Sequence, residues 1–340
     1  MHQPKDQWMR SNTFPGQVFL LDGLTGSGKT MIMKLIATTQ NVVPPQFNYQ
    51  LEHLCIAISE KKMDRFAGIE ILQLLLDQLM YDSRISRHIN FRPRDLSSVL
   101  SSPRRLEFLK RLFLSDGESA VDRLLNTPES LFLVVHQLLH TSQILDELPN
   151  KKVHRIVCAR HPYYLMHHWV SYIEMFGSSP RDFTVTTFDT SEVPWFIQKY
   201  ATNFSSLHSY DKSALAISVL SGNLINFVED SPKTLVIDFE NFVLNPNHYL
   251  TQLSERFGLK LSMAMTRELR RQNLPRHHIN DSIKNRAYLR YSSDLLTTAD
   301  DHKNHYTKLR HDLKKLTSAK YFKLLELAAT EYEEKFGIWF

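Results

Sequence analysis

The chain has 340 residues, 42% hydrophobic and 23% charged, with a formal net charge of +5 and 16 further histidines. A chain of that length can bury a substantial core unaided, and its two cysteines, Cys55 and Cys158, lie in apolar stretches, which excludes a disulfide scaffold and fits a reducing compartment. No apolar run is long enough to span a membrane, and Met1 to Gly16 lacks the segments of a secretory signal, so a soluble, cytoplasmic protein is expected. The modest basic excess either attracts phosphates, sulfates or acidic glycans or is a solvated surface.

In chain order, a polar tail (1–16) is followed by Gln17–Asp22, a short buried strand. A glycine-rich turn comes next, then an apolar helix over Met31–Thr39. A second helix is predicted over Asp64–Tyr81, where Ile69, Leu72, Leu75, Leu76 and Leu79 recur at helical spacing. Residues 82–105, rich in Ser, Arg and Pro without periodicity, are expected to form a long irregular loop on the substrate side. Two helices then precede a strand over Ser130–Val135. Val153–Cys158 is another strand, running into a helix over Pro162–Met175. Thr234–Asp238 is a third, with a helix after Asn245. Residues 299–340 are expected as one long charged helix or two shorter ones. Apolar strands separated by helices predict a three-layer α/β P-loop domain over 17–298, its central sheet parallel with helices on both faces. The C-terminal helices extend that same domain.

Gly23-Leu24-Thr25-Gly26-Ser27-Gly28-Lys29-Thr30 satisfies G-x-x-x-x-G-K-[ST] in full, between a predicted strand and a predicted helix. Glycines let successive backbone N–H groups turn toward phosphate oxygens, and the following helix adds the positive end of its dipole. Lys29 is placed to neutralise the terminal phosphates, and the Thr30 hydroxyl to ligate magnesium if that ion is present. The motif does not choose between kinase, hydrolase and sulfuryl-transfer chemistry.

Val157-Cys158-Ala159-Arg160-His161-Pro162 ends a strand on an arginine and restarts on a proline at a helix start. Arg160 is therefore expected at the carboxyl edge of the sheet, able to grip a phosphate bidentately. His168 follows two turns into the helix and Ser171 one turn later.

With these motifs the chain resembles the sulfotransferase superfamily. The resemblance runs from Phe19 to Leu259: the Gly23–Thr30 loop, Ala159-Arg160-His161-Pro162, Asp238-Phe239-Glu240-Asn241, and Glu255-Arg256-Phe257-Gly258-Leu259. It implies 3′-phosphoadenosine 5′-phosphosulfate as donor. Arg160, with His168 or Ser171, would then hold the 3′-phosphate, and the loop the 5′ side. It also implies that His136, closing the strand before that of Arg160, is the catalytic base, with His140 or Glu52 as alternatives. Lys29 would offset charge as the donor bond breaks.

The loop departs from the family. Gly26 stands where a basic residue is usual, and Lys29 where a kinase has its lysine. An ATP- and magnesium-dependent small-molecule or sugar kinase therefore remains an alternative, with Asp238 as a magnesium-side carboxylate or simply a strand-end hydrogen-bonding residue. A non-catalytic nucleotide-binding regulator is a second alternative.

Two basic segments could serve the ligands or be solvated surface. Arg270, Arg271 and Arg276 are candidates for closure over the donor, as the resemblance implies, and Arg92 and Arg94 for an acceptor. Gln46, Tyr49 and Glu52, just after the loop's helix, are expected at the rim beside the acceptor. That acceptor is expected to be a small molecule or glycan, with no nucleic acid partner. No metal site is expected, since His167-His168 and His277-His278 are adjacent pairs rather than helix-spaced ligands.

Overall fold

The computed structural model describes residues 10–188, 192–200, 204–229, 233–260, 262–277, 279 and 299–340, so most of the expected polar tail, and His278 of the second basic segment, lie outside the described residues. In chain order the elements are β1 (Gly16–Gly23), α1 (Lys29–Ile36), β2 (Gln46–Phe47), α2 (Tyr49–Ser59), α3 (Arg65–Arg84), α4 (Arg105–Arg111), α5 (Glu118–Asn126) and β3 (Leu131–Val134). Then come β4 (Lys151–Ala159), α6 (Pro162–Met175), a small antiparallel pair β5 (Thr186–Phe188) and β6 (Glu192–Pro194), and α7 (Ser209–Glu229). The chain continues through β7 (Thr234–Asp238), α8 (Phe239–Leu244), α9 (Pro246–Phe257), α10 (Met263–Arg271), α11 (Ala299–Leu316) and α12 (Ala319–Phe336).

Five strands form one parallel sheet in the order β2-β3-β1-β4-β7 among the described residues. Period-two alternation sends successive side chains of β1 into opposite cores. Val18 and Leu20 enter one core with α2, α3, α6, α7 and α12, while Phe19 and Leu21 enter the other with α1, α8, α9 and α10. The strands of the sheet are covered on both faces, which is why they read as continuous apolar runs. At roughly 25 cal/mol per Å² of apolar surface removed from water, these two cores drive the fold.

The helix ends follow local chemistry. His161 caps α6, its ring accepting from the Tyr163 N–H, and Pro162 occupies the first turn where its missing N–H costs nothing. Asp64 caps α3 through the Ala67 N–H at 2.9 Å. Pro246 opens α9 and Gly258, at φ 68°, closes it.

The expected strands and the 162–175 helix are present. The first helix is shifted, running from Lys29 to Ile36 rather than 31–39. The loop expected over 82–105 begins only after α3 has run on to Arg84; it holds a 3-10 turn at Val99–Ser101, and its Ile89 and Val99 form an apolar cluster with Phe108 of α4. The C-terminal segment is two helices, parted at Thr317-Ser318. Helices the sequence reading did not anticipate include α2, capped by the Asn48 side chain on the Leu51 N–H at 2.8 Å, α7, which packs between α6 and α12, and α10, whose last turn holds Arg270 and Arg271. No described helix is long and apolar enough to cross a membrane.

Candidate active site

Parallel strands in register deliver their downstream loops to one edge. Gly23 lies opposite Cys158, and Ala159 opposite Asp238, so the Gly23–Thr30 loop, Arg160 and the Asp238–Glu240 segment emerge side by side. His136 follows β3 at the same edge. The neighbouring Gln137 is tied to the loop, its side-chain amide donating to Thr25 Oγ1 at 2.8 Å and its backbone N–H to Gly23 O at 3.4 Å.

The loop is held from several sides. Asp22 accepts the N–H groups of Gly23 (2.7 Å), Leu138 (3.3 Å) and Leu139 (2.6 Å). Trp169 Nε1 donates to Thr25 O at 2.9 Å, and Arg160 Nη1 to Gly26 O at 2.9 Å. Two glycines are required by close approach at positive φ. A Cβ on Gly26 would sit 2.9 Å from the His168 ring, and one on Gly28 would sit 2.5 Å from the Phe239 ring. His168 and Phe239 thus wall the loop, and the Arg160 guanidinium lies 4.5 Å over the Phe239 ring. Ser27 Oγ is buried with no hydrogen-bond partner, an unmet hydroxyl inside the cradle. Thr30, in the first turn of α1, is half-buried.

Lys29 Nζ is folded back across the loop, donating to Gly23 O (2.5 Å) and Leu24 O (3.1 Å). Burial pushes its pKa below the ordinary lysine value, and the charges of Asp22, Cys158 and Glu52 push the other way.

That pair joins two separate expectations. Glu52 Oε1 lies 3.0 Å from His136 Nδ1, across 84 residues of sequence. A carboxylate accepting from Nδ1–H leaves the lone pair of the neutral ring on Nε2, the tautomer a general base requires. The His136 ring is stacked on both Tyr49 (5.8 Å, 4°) and Phe47 (6.0 Å, 13°). His140, weighed as its alternative, is exposed on the 3-10 segment Leu139–Glu147.

The carboxylates on the far side of the loop are each engaged. Asp238 caps α8 through the Asn241 N–H and accepts the Tyr249 hydroxyl; burial raises its pKa, against those two bonds. It is a strand-end hydrogen-bonding residue. Glu240 accepts the His161 N–H (3.2 Å) and the Tyr332 hydroxyl (2.7 Å); burial raises its pKa too, opposed by the charges of Arg160 and His161. His161 in turn reaches Glu333 on α12 at 3.0 Å, so the C-terminal helices brace the Arg160 turn. No group of three or more His, Cys, Asp or Glu able to hold a metal occurs among the described residues.

Other predicted site residues divide. Ser171 lies exposed one turn beyond His168. Gln46 is half-buried on β2, its Nε2 lacking a hydrogen-bond partner. Arg276 is buried behind the loop's helix, its N–H bonded to Val243 O at 2.7 Å, while Gln272 reaches Met31 O in α1 at 3.3 Å. Arg270 is exposed, and Arg271 pairs with Glu268 at 3.5 Å. Arg92 and Arg94 are exposed. Their loop packs against the last turn of α1 and Pro44-Pro45, along a groove lined by Lys34, Thr38 and Leu96, and Arg92 pairs with Asp95 at 3.4 Å.

The sequence reading missed Phe183, whose ring meets Tyr49 at 4.7 Å. Its carbonyl is 2.8 Å from His53 Nε2. With Phe47, Asn48, Gln50 and His53 these rings line an open cleft of about 480 Å³, two of whose residues, Phe47 and Tyr49, stack on His136.

No family model matches the chain, and no curated protein matches it. Among solved structures it is similar to the sulfotransferase domain from the Synechococcus PCC 7002 olefin synthase, at 12% identity and TM-score 0.37, over 89% of this chain and 98% of that one. It is also similar to the sulfotransferase domain from the curacin biosynthetic pathway, at 14% identity and TM-score 0.36, over 87% and 98%. Sulfotransferase STF9 from Mycobacterium avium is similar at 14% identity and TM-score 0.41, over 95% and 77%. At TM-scores below 0.5 these likenesses carry no argument about the reaction, which has to be read from the residues of the site.

Proposed function

We propose that this chain transfers a sulfuryl group from 3′-phosphoadenosine 5′-phosphosulfate to a hydroxyl or amine of a small-molecule acceptor. The observation that carries the proposal is Arg160: it stands at the shared edge, bonded to the loop at Gly26 O and laid over Phe239. A cation there gives a 3′-phosphate a bidentate partner beside a cradle that takes the 5′ side. The cradle fits such a group in two further respects. Ser27 Oγ is a buried donor without a protein partner, and Gly26 and Gly28 turn the backbone at positive φ where a side chain would meet His168 and Phe239.

His136 Nε2 takes the acceptor's proton. A bond forms between acceptor oxygen and sulfur as the bond from sulfur to the donor's bridging oxygen breaks, releasing adenosine 3′,5′-bisphosphate. Lys29 and the loop amides offset the charge that builds on that oxygen. Glu52 holds the His136 tautomer and stabilises the imidazolium that results. His168, against Gly26, is a second donor beside Arg160.

The Lys29–Thr30 pair favours a second function, phosphoryl transfer from ATP with magnesium. The two separate by donor consumption. The purified chain, given each donor with a mixture of alcohols and amines, is expected to release adenosine 3′,5′-bisphosphate and a sulfated product. Release of ADP from ATP alone would replace this proposal with the kinase, and binding of either donor without turnover would point to a regulator.

A further inference from the structure

A separate cavity of about 740 Å³ opens at the other end of the sheet. It is lined where β1 begins, at Gly16 and Gln17, where β4 begins, at Lys151 and Lys152, and by the turns that follow α1 and α9. The same two strands carry the phosphate loop and Arg160 at their opposite ends. β1 has 8 residues, which at about 3.3 Å each puts roughly 25 Å between the two edges. The cavity is therefore distinct from the candidate active site, and its volume falls within the range of small-molecule pockets, about 300–1,000 Å³.

Its walls are apolar. Phe19, Val42, Leu124, Leu125, Phe257 and Leu259 form them, and all but Leu125 are buried. Its charges are one-sided. Glu129, the acid among its lining residues, is met by Arg84, Arg104 and Arg111, and Lys151 is taken by Asp77 at 2.6 Å. That leaves Lys152 and Lys260, both exposed and neither in an ion pair among the described residues. Strand alternation explains the first of them. Lys151 points to the face of α3, where Asp77 sits, so Lys152 points to the opposite one. That is the face of His154, whose ring stacks on Phe19 at 5.2 Å and meets Phe257 at 4.8 Å. Burial pushes the His154 pKa down to about 4, and the Lys152 and Lys233 charges push the same way, so the field on this face is positive.

An apolar cavity with two unpaired cations and no unpaired carboxylate among its lining residues selects for both features at once. A bare inorganic anion gains nothing from the walls, and an uncharged apolar molecule leaves both ammonium groups unanswered. An anion with an apolar body uses both, each methylene it buries tightening binding about fourfold. We propose that this cavity is a second ligand site, for a small anion with an apolar body, whose head meets Lys152 and Lys260 and whose body lies against Phe19, Phe257 and Leu259. The site binds without chemistry and is independent of the transfer proposed above.

The test is calorimetric titration of octanoate into the full chain, beside octanol and butanoate. Saturable octanoate binding is expected, with octanol and butanoate each at least about tenfold weaker. Lys152→Gln combined with Lys260→Gln should weaken octanoate about tenfold and leave octanol unchanged, so that the two ligands become alike. Leu125→Glu, which sets a negative charge at the exposed rim, should weaken octanoate as well. All three positions are exposed, so these variants keep the fold and the melting temperature. Arg160→Gln and Tyr49→Ala, at the opposite edge, should leave octanoate binding unchanged. Absence of saturable octanoate binding, octanol binding equally well, or octanoate binding indifferent to the lysine and Leu125 substitutions would overturn the proposal. So would binding that is lost in Arg160→Gln or Tyr49→Ala and kept in the lysine variants, which would put the anion in the active site instead.

Discussion

Two buried carboxylates, Glu129 and Glu52, show how the same group becomes structure in one place and chemistry in another. Their side chains are almost equally withdrawn from water, 6% and 8% exposed. Glu129 sits among three arginines: Arg84 at 3.0 Å, Arg111 at 2.7 Å, and Arg104. Arg104 and Arg111 also share Glu107 and lie over the Phe108 ring. Burial pushes the Glu129 pKa up, but its arginine bonds and charges more than offset it and hold the group ionised. Both Glu129 oxygens are met by arginines, and the cluster pins α3, α4 and the entry to β3 together. Glu52 instead has one imidazole, which is stacked on Tyr49 and Phe47 and is followed in the chain by Gln137, bonded to the phosphate loop. A closed ionic cluster fixes a fold. An open pair at the mouth of a cleft can pass a proton.

The comparison can be broken at either carboxylate. The largest effect is expected from His136→Ala, which removes the base and lowers kcat by roughly 10²–10⁴-fold with little change in the melting temperature. Next is Glu129→Gln, which strands three guanidinium groups. It should cost about 3–5 kcal/mol of stability in chemical denaturation, while any activity per folded molecule is retained. Glu52→Gln is expected to lower kcat by about 10²-fold with an almost unchanged acceptor KM, because an amide can donate to Nδ1 and turn the ring to the wrong tautomer. If Glu52→Gln instead destabilised the chain as Glu129→Gln does, the two sites would be alike and the contrast would fail.

The smallest effect concerns pH. The Arg104 hydrogen bond, against some burial, holds the Glu107 carboxyl down at about 2, from 4.5. Its folded pKa is depressed, so its contribution is complete above pH 4.5 and is lost as pH falls through about 2. Glu107→Gln should lower stability at neutral pH, flatten the profile between pH 4.5 and about 2, and leave the region below that alone.

How much of this was legible in the sequence depended on range. The β1 apolar run, the Gly23–Thr30 loop, and Pro162 after Arg160 are local signals, and the structure places the expected elements there. The helix α2 carried signals too, with Asn48 as cap and Leu51, Cys55 and Ile58 buried at helical spacing. They were masked by the Pro44-Pro45 turn, which made the whole stretch read as rim. The pairing of Glu52 with His136 had no local signal at all, because 84 residues of chain separate them and only the sheet order brings them together. Phe183 entered the site the same way, through a ring contact with Tyr49. Arg92 and Arg94 were the least legible, because a basic cluster carries no address of its own and a solvated arginine reads like a ligand-binding one.

The central claim is that this loop and Arg160 together bind a 3′-phosphorylated nucleotide. Calorimetric titration of the full chain with adenosine 3′,5′-bisphosphate, beside ATP with magnesium, tests it most directly. Saturable bisphosphate binding, weakened at least about tenfold by Arg160→Ala while ATP binds poorly to both, is the predicted result. Tight ATP binding with no affinity for the bisphosphate would contradict it.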